Sequence, residues 1–358
     1  HDAATARTDR YDAFVAGVIG SSGLLWQPPS TRRWISLNAW PRAIQVLWRA
    51  ARVHDLGGVW SYAYRHSPVL FSLLENAATV VFCTSTAQVM YSYTLAPRTL
   101  PPAYRNMMLR ISGNDKRIVQ MLRRACRGKA QRIDALRDYY TRLGGPAVHG
   151  PFPLENTPVP LVAPCAVIHP QTAWCTRSSL DVLVGAFARS LPMYAGVYTF
   201  GLALRPHAVL RAPLDNVLDA AVGVLRSTTF MAVFNAACMG FVCWTRRIMY
   251  TRELPVVYWW LSFVAAFAVL IEPPARRREL TVYVVPRAVD SAWKILLQEG
   301  YVRAVPHGAE AIFALSVGVL LHFYQAADKQ THALVPTFVR KPLNLMLDTR
   351  RRRRSRRG

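Results

Sequence analysis

Apolar residues in this chain fall in long runs separated by basic stretches. Residues 76–97, 227–245 and 254–271 carry no charged side chain at all. A charge at the centre of a bilayer costs roughly 2.5–3.5 kcal/mol on insertion scales, so such charge-free runs predict membrane-crossing helices. The first apolar run, Tyr11–Leu25, is short for a span of ~20 residues. It is small along one side, at Ala16, Gly17, Gly20, Ser21 and Gly23, which in a membrane lets helix backbones approach closely. Trp34–Val53 mixes Arg42, Arg49 and Arg52 with Trp34, Trp40, Ile44 and Trp48, a pattern that suits a helix lying in the interface. Pro68–Ala96 reads as a span, with Glu75 near its start and Tyr91 and Tyr93 where an aromatic belt belongs.

From Pro97 to about Pro164 the chain is soluble in character. Within Asn114–Leu143, Ile118, Met121, Leu122, Ala125 and Ile133 recur at near-helical spacing among many basic residues, predicting a basic amphipathic helix. A proline-rich linker follows it. Four more apolar runs come next: Ser178–Leu204 with Asp181, Arg189 and Pro192, Ala220–Trp244 with Arg226, Pro255–Ile271, and Ala309–Tyr324. Between the last two, Arg276–Gly300 is another mixture of charged and apolar residues.

One stretch of this pattern occurs twice. Residues 28–48 read PPSTRRWISLNAWPRAIQVLW and residues 273–293 read PPARRRELTVYVVPRAVDSAW. Without a gap, Pro28–Pro29 falls on Pro273–Pro274, Arg32–Arg33 on Arg277–Arg278, Pro41–Arg42–Ala43 on Pro286–Arg287–Ala288, and Trp48 on Trp293. An apolar run precedes each copy and another follows, where Phe82, Ser85 and Tyr93 can be laid over Phe313, Ser316 and Tyr324. Each copy is therefore a span, a double proline, a basic turn, an interfacial helix and a second span. The expected fold is an all-α membrane protein of about six transmembrane helices in two related halves, with interfacial and basic amphipathic helices. Its expected segments are a first membrane repeat at 1–95, a basic extramembrane loop and linker at 96–164, a second membrane unit at 165–325 containing the second copy (255–325), and a basic tail at 326–358. If the two interfacial helices do not cross, both termini and the long basic loop share one face, as the positive-inside tendency favours.

The chain has 44 Lys+Arg against 20 Asp+Glu, a net charge of +24. That excess points to a negative partner, either anionic lipid or acidic subunits, with nucleic acid the less expected. The tail residues Arg350, Arg351, Arg352, Arg353, Arg354, Arg356 and Arg357 are the densest positive run and are expected to grip a neighbouring subunit. The first residue is His1 rather than Met, which would fit removal of a mitochondrial presequence. Six scattered cysteines do not make a disulfide scaffold.

The second half resembles the transmembrane protein 135 family. The resemblance begins at Cys165-AVI-His169-Pro170-QTAW-Cys175, which looks like that family's cysteine-rich entry segment. It continues through SLDVLVGAFARSLPMYAGVY, LRSTTF around Arg226, PPARRRELTVYVVPRAV, Gly300–Tyr301 and Gly308. TAQVMYSYTLAPRTLPPAY at 86–104 looks like the other half of such proteins. The family is in turn similar to the mitochondrial inner-membrane translocase channel family, whose short Gly-rich spans are like AGVIGSSG. The resemblance implies a polytopic protein of mitochondria or peroxisomes without established catalytic residues.

Several residues are candidates for chemistry. Cys165, His169 and Cys175 could ligate a metal, since thiolate and imidazole suit zinc, but the spacing is not a standard zinc pattern and only three ligands are visible. Simple packing is therefore the expected role, ahead of a disulfide and then a metal, and no bound metal is expected. Asp181, Arg189, Arg226 and Glu310 are ionisable groups in or beside apolar runs, read as structural pairs or lipid ligands ahead of a transport path. The basic turns Arg32, Arg33 and Arg276, Arg277, Arg278 suit cardiolipin or other anionic head groups, with solvated loop charge as the alternative. No hydrolase, zincin, phosphate-loop or dinucleotide motif occurs. The expected function is a non-catalytic accessory subunit of a mitochondrial inner-membrane assembly of the respiratory-chain kind. It would hold anionic phospholipid and need no other cofactor. The alternatives are a freestanding mitochondrial or peroxisomal membrane protein in lipid handling, and a translocase-like channel.

Overall fold

The computed structural model describes residues 12–154, 162, 164–248, 254–325 and 335. The tail arginines 350–357 and most of the 326–358 segment lie outside them. Every regular element among the described residues is helical. The principal helices are α1 (Asp12–Trp26), α2 (Pro29–Val53), α3 (Pro68–Glu75), α4 (Ala77–Leu95), α5 (Pro102–Ser112), α6 (Lys116–Cys126) and α7 (Ile133–Arg142). They continue with α8 (Cys175–Ala203), α9 (Pro213–Ile248), α10 (Pro255–Ile271), α11 (Pro274–Gln298) and α12 (Gly308–Tyr324). Proline opens α3, where its missing N–H is not needed, and Ser67 caps that helix by accepting from Leu70 N at 3.2 Å. Asp115 does the same for α6, accepting from Arg117 N at 2.8 Å.

Two helices, α8 and α9, are long and apolar enough to cross a membrane, and a third candidate is the pair α3–α4, broken at Asn76. α1, α10 and α12 are shorter apolar helices. The protein is therefore all-helical and carries membrane-spanning candidates, fewer of them at full length than the six expected from composition. The basic region also differs from expectation. It forms two helices, α6 and α7, because the chain turns at Gly128 with φ +62°, a conformation favourable to glycine and closed to a continuing helix. Their apolar faces close a small core of Ile118, Met121, Leu136 and Tyr140 with Phe152, Leu154, Val167 and Ile168.

The repeat is reproduced in the backbone. α1 tightens to a 3-10 turn at Ser21–Trp26, and α10 does so at Ala266–Ile271, 245 residues later. Each turn is followed by a double proline and a helix of 25 residues with an internal proline, Pro41 in α2 and Pro286 in α11. The hydrogen bonds match as well. Arg32 Nε donates to the Gln27 carbonyl at 2.6 Å, and Arg277 Nε to the Glu272 carbonyl at 2.7 Å. Ser36 and Thr281 both return their hydroxyls to the carbonyl four residues earlier, each at 2.7 Å.

The chain divides into two compact units, residues 1–77 with 302–358, and residues 78–301. In the first, α12 packs on α1 and α2. Gly17 and Gly318 make the crossing: a Cβ on Gly17 would stand 2.9 Å from the Gly318 Cα, and one on Gly318 would stand 2.8 Å from the Phe14 ring. Val46 and Ala50 of α2 meet Leu320 and Phe323 of α12, and Arg32 pairs with Glu310 at 3.1 Å. In the second unit the core gathers Phe82, Val89 and Tyr93 of α4, Phe230 and Phe234 of α9, Val269 of α10, and Val284 and Ala288 of α11. Ser291 of α11 hydrogen-bonds Ser92 of α4, and the Thr281 hydroxyl donates to Ala78 O at 2.9 Å. Each unit thus joins the first span and interfacial helix of one copy to the closing span of the other.

The Gly17–Gly318 crossing yields a prediction. Gly318→Val overfills the contact and should cost about 1–3 kcal/mol, read as a lower midpoint of thermal unfolding in detergent. Gly20→Ala meets no atom within 4 Å and should leave that midpoint unchanged or slightly raised.

Candidate functional site

Two features of the second unit bring chemistry-bearing residues together. The first is a cluster of thiols and an imidazole. Cys165 opens a short helical turn, Cys165–Ile168, whose Val167 and Ile168 are buried in the small core beside α6 and α7. His169 ends that turn, and Cys175 begins α8. Cys243, near the end of α9, is buried against them. One ligand atom from each of Cys165, His169, Cys175 and Cys243 lies within 4.8 Å of all the others. The sequence reading identified the first three and missed Cys243. That residue is remote in sequence and sits in an apolar run, where a cysteine ordinarily behaves as a small hydrophobe.

The imidazole is held in one orientation. His169 Nδ1 donates to the Thr172 carbonyl at 2.9 Å, and His149 Nε2 reaches the same oxygen at 3.1 Å. His169 Nε2 is buried without a hydrogen-bond partner. Cys165 is held well below the usual thiol range, chiefly by a hydrogen bond from Cys243 that outweighs burial, with help from His169 and the charge of Arg246. Burial alone would lower the His169 pKa, but the neighbouring Cys165 sulfur and the hydrogen bond to the Thr172 carbonyl raise it. All six cysteines carry free thiols.

The second feature is a cavity of about 490 Å³ whose walls are mostly apolar, among them Phe82, Met90, Phe230, Met231 and Leu261. Arg276 and Glu279 are its charged lining residues. Arg276 Nη1 pairs with Glu279 at 2.9 Å, and its guanidinium lies 5.7 Å from the centre of the Tyr198 ring. The Arg276 Nε is buried with no partner.

The other sequence candidates divide by what they touch. Arg32 and Arg277 are committed to backbone carbonyls at the two double-proline turns; Arg277 also donates from Nη2 to Leu270 O at 3.0 Å. Arg33 and Arg278 are exposed. Asp181 and Arg226 are exposed on α8 and α9. Arg189 does structural duty: Nε donates to Ile111 O at 3.0 Å and Nη2 to Ser112 O at 2.9 Å, capping the end of α5. Gly113 follows with φ +69°, and a Cβ there would lie 2.5 Å from the Arg189 guanidinium. Two buried acids escaped the sequence reading, and one of them, Asp290, pairs with Lys294 at 2.6 Å. Glu272, 2% exposed, accepts the Ser227 hydroxyl at 2.5 Å, and its second oxygen has no partner. Its only sequence signal is its place directly before Pro273–Pro274, where the first copy has neutral Gln27.

These contacts separate two arginines of the apolar runs. Arg189→Ala removes charge-assisted bonds to two helix-end carbonyls and should lower stability by roughly 1–2 kcal/mol. Arg226→Ala should stay within about 0.5 kcal/mol. Paired thermal unfolding curves in one detergent would measure the difference.

The fold and cluster can be set beside known proteins. No solved structure matches the chain. Residues 164–297 match a family model described as the N-terminal cysteine-rich region of Transmembrane protein 135. The matched segment starts one residue before Cys165 and ends within the last turn of α11, so it contains the whole thiol–imidazole cluster and both long apolar helices. The match does not extend to the translocase channels. The match supports assignment of residues 164–297 to the transmembrane protein 135 family.

Proposed function

We propose that the protein is a non-catalytic membrane protein that holds a phospholipid and serves as an accessory subunit of a mitochondrial inner-membrane assembly of the respiratory-chain kind. The observation that carries this reading is the apolar cavity with Arg276 in its wall. Its volume lies within the ~300–1,000 Å³ range of sites for small organic ligands. An acyl chain suits walls of Phe and Met side chains. A phosphate oxygen would satisfy the buried Arg276 Nε by the charge-assisted geometry that favours arginine at such groups. The excess of basic residues supports a negatively charged neighbour in addition to the lipid.

The proposed topology has six crossings: α8, α9, the broken pair α3–α4, and the shorter α1, α10 and α12. In α1 and α10 the 3-10 end favours crossing, because a 3-10 turn rises more per residue than an α-turn. α10 reaches about 28 Å with its 3-10 end, close to a ~30 Å hydrocarbon core. The outer faces of α8 and α9 favour lipid contact, with Leu180, Val184, Phe200, Leu214, Leu218 and Val222 exposed. The second reading is a freestanding mitochondrial or peroxisomal membrane protein in lipid handling, which the same cavity would also serve.

The test is to purify the full chain from its own membranes in mild detergent and extract the retained lipid. Met231→Trp, which fills the cavity, should abolish stoichiometric phospholipid retention. Arg276→Gln should keep bound lipid but lose the preference for anionic head groups. Equal retention in both variants would sink the cavity as the lipid site. Native electrophoresis of the same membranes separates the two readings: migration with respiratory subunits supports the accessory role, and migration near the mass of the single chain supports independent lipid handling.

A further inference from the structure

We propose that Cys165, His169, Cys175 and Cys243 bind one Zn²⁺ ion in a tetrahedral, structural Cys₃His centre that fastens the entry segment of α8 to the end of α9. The first argument is geometric. With Zn–S bonds of about 2.3 Å, neighbouring sulfurs of a tetrahedral site stand about 3.8 Å apart. The four ligand atoms already lie within 4.8 Å of one another, so closing onto an ion needs only small side-chain adjustments.

The second argument is independent of spacing. His169 gives its Nδ1 proton to the Thr172 carbonyl, which leaves Nε2 with a lone pair. That atom is buried and meets no donor. A ring nitrogen fixed by a carbonyl on its far side, with the other nitrogen bare among thiols, is the arrangement zinc-ligating histidines adopt. A buried acceptor left unmet costs on the order of 1–3 kcal/mol, and a metal removes that penalty.

The donor set selects the metal. Three thiolates and an imidazole in a closed four-ligand set suit Zn²⁺, whose structural sites have no open position. On binding, the thiols release their protons to solvent and no electron moves. Three thiolates and a divalent cation leave one negative charge, and Arg246, 7% exposed, supplies a compensating positive charge close to Cys165. The site also has a mechanical purpose. The turn 165–169 is short and packs chiefly through Val167 and Ile168, so a metal clip would hold it where four residues of helix cannot.

The experiment uses the full chain purified in detergent without chelators, with zinc measured by elemental analysis and free thiols counted after unfolding. Expected is stoichiometric zinc, lost by at least about ten-fold in His169→Ala and Cys243→Ser and retained in the control Cys238→Ser. Should those variants fail to fold, exchange of the unaltered protein into Co²⁺ gives a second readout, a thiolate-to-cobalt charge-transfer band of tetrahedral shape. Absence of metal with two thiols missing from the count would overturn the proposal in favour of a disulfide. Absence of metal with every thiol free would overturn it in favour of simple packing. These readouts are independent of whether the cavity holds lipid.

Discussion

Every helix that ends inside or beside a membrane leaves carbonyl groups that water cannot reach, and much of this structure follows from how that need is met at two equivalent elbows. α1 and α10 tighten into 3-10 turns and then run into a double proline that offers no N–H. The freed carbonyls of Gln27 and Glu272 are satisfied by a guanidinium reaching back from the next helix, Arg32 in one copy and Arg277 in the other. With the elbow closed in this way, the following helix leaves at a fixed direction and presents its small residues to a partner. Arg189 answers the same need at the end of α5, where a glycine in the left-handed conformation makes room for it.

Arginines that read as lipid ligands or pathway residues are thereby sorted by geometry. Arg32, Arg277 and Arg189 serve the backbone, and their positive charge also favours the negative ends of the helices they cap. Arg276, beside Arg277 in sequence, has a different task because one further step around the helix turns it toward the cavity wall and Glu279. The two neighbours illustrate why a basic cluster cannot be assigned one role as a whole. The same holds for the acidic residues: Glu310 is taken up by Arg32 at the surface, whereas Glu272 is buried against Ser227.

The two copies do not close on themselves. α12, which ends the second copy, covers the elbow of the first, and α4, which ends the first copy, covers the elbow of the second. The contacts have been specialised. Val46 against Phe323 in the first unit is apolar, while the equivalent position in the second unit, Ser291, hydrogen-bonds Ser92 and Thr99. The long segment 96–301, which lies in sequence between the closing helices of the two copies, carries the thiol cluster and, together with α4, lines the cavity. The family match lies within the same segment.

Several features were already fixed by residue order. Charge-free runs marked the apolar helices, because a bilayer or a helix-packed interior excludes unpaired charge wherever it occurs in the chain. The duplication was legible in PPSTRR and PPARRR, because prolines and arginines at an elbow leave little freedom of substitution, and the helices they begin proved equal in length. Cys165, His169 and Cys175 were visible as a group because they are neighbours in sequence. What only the tertiary structure decided depends on distant segments meeting. Cys243 joins the cluster because α9 packs antiparallel to α8 and returns its end to the start of that helix. The exchange of closing helices, the cavity wall assembled from α4, α9 and α11, and the burial of Glu272 arise in the same way. Apolar periodicity shows which side of a helix is buried, and packing alone selects the helix that buries it.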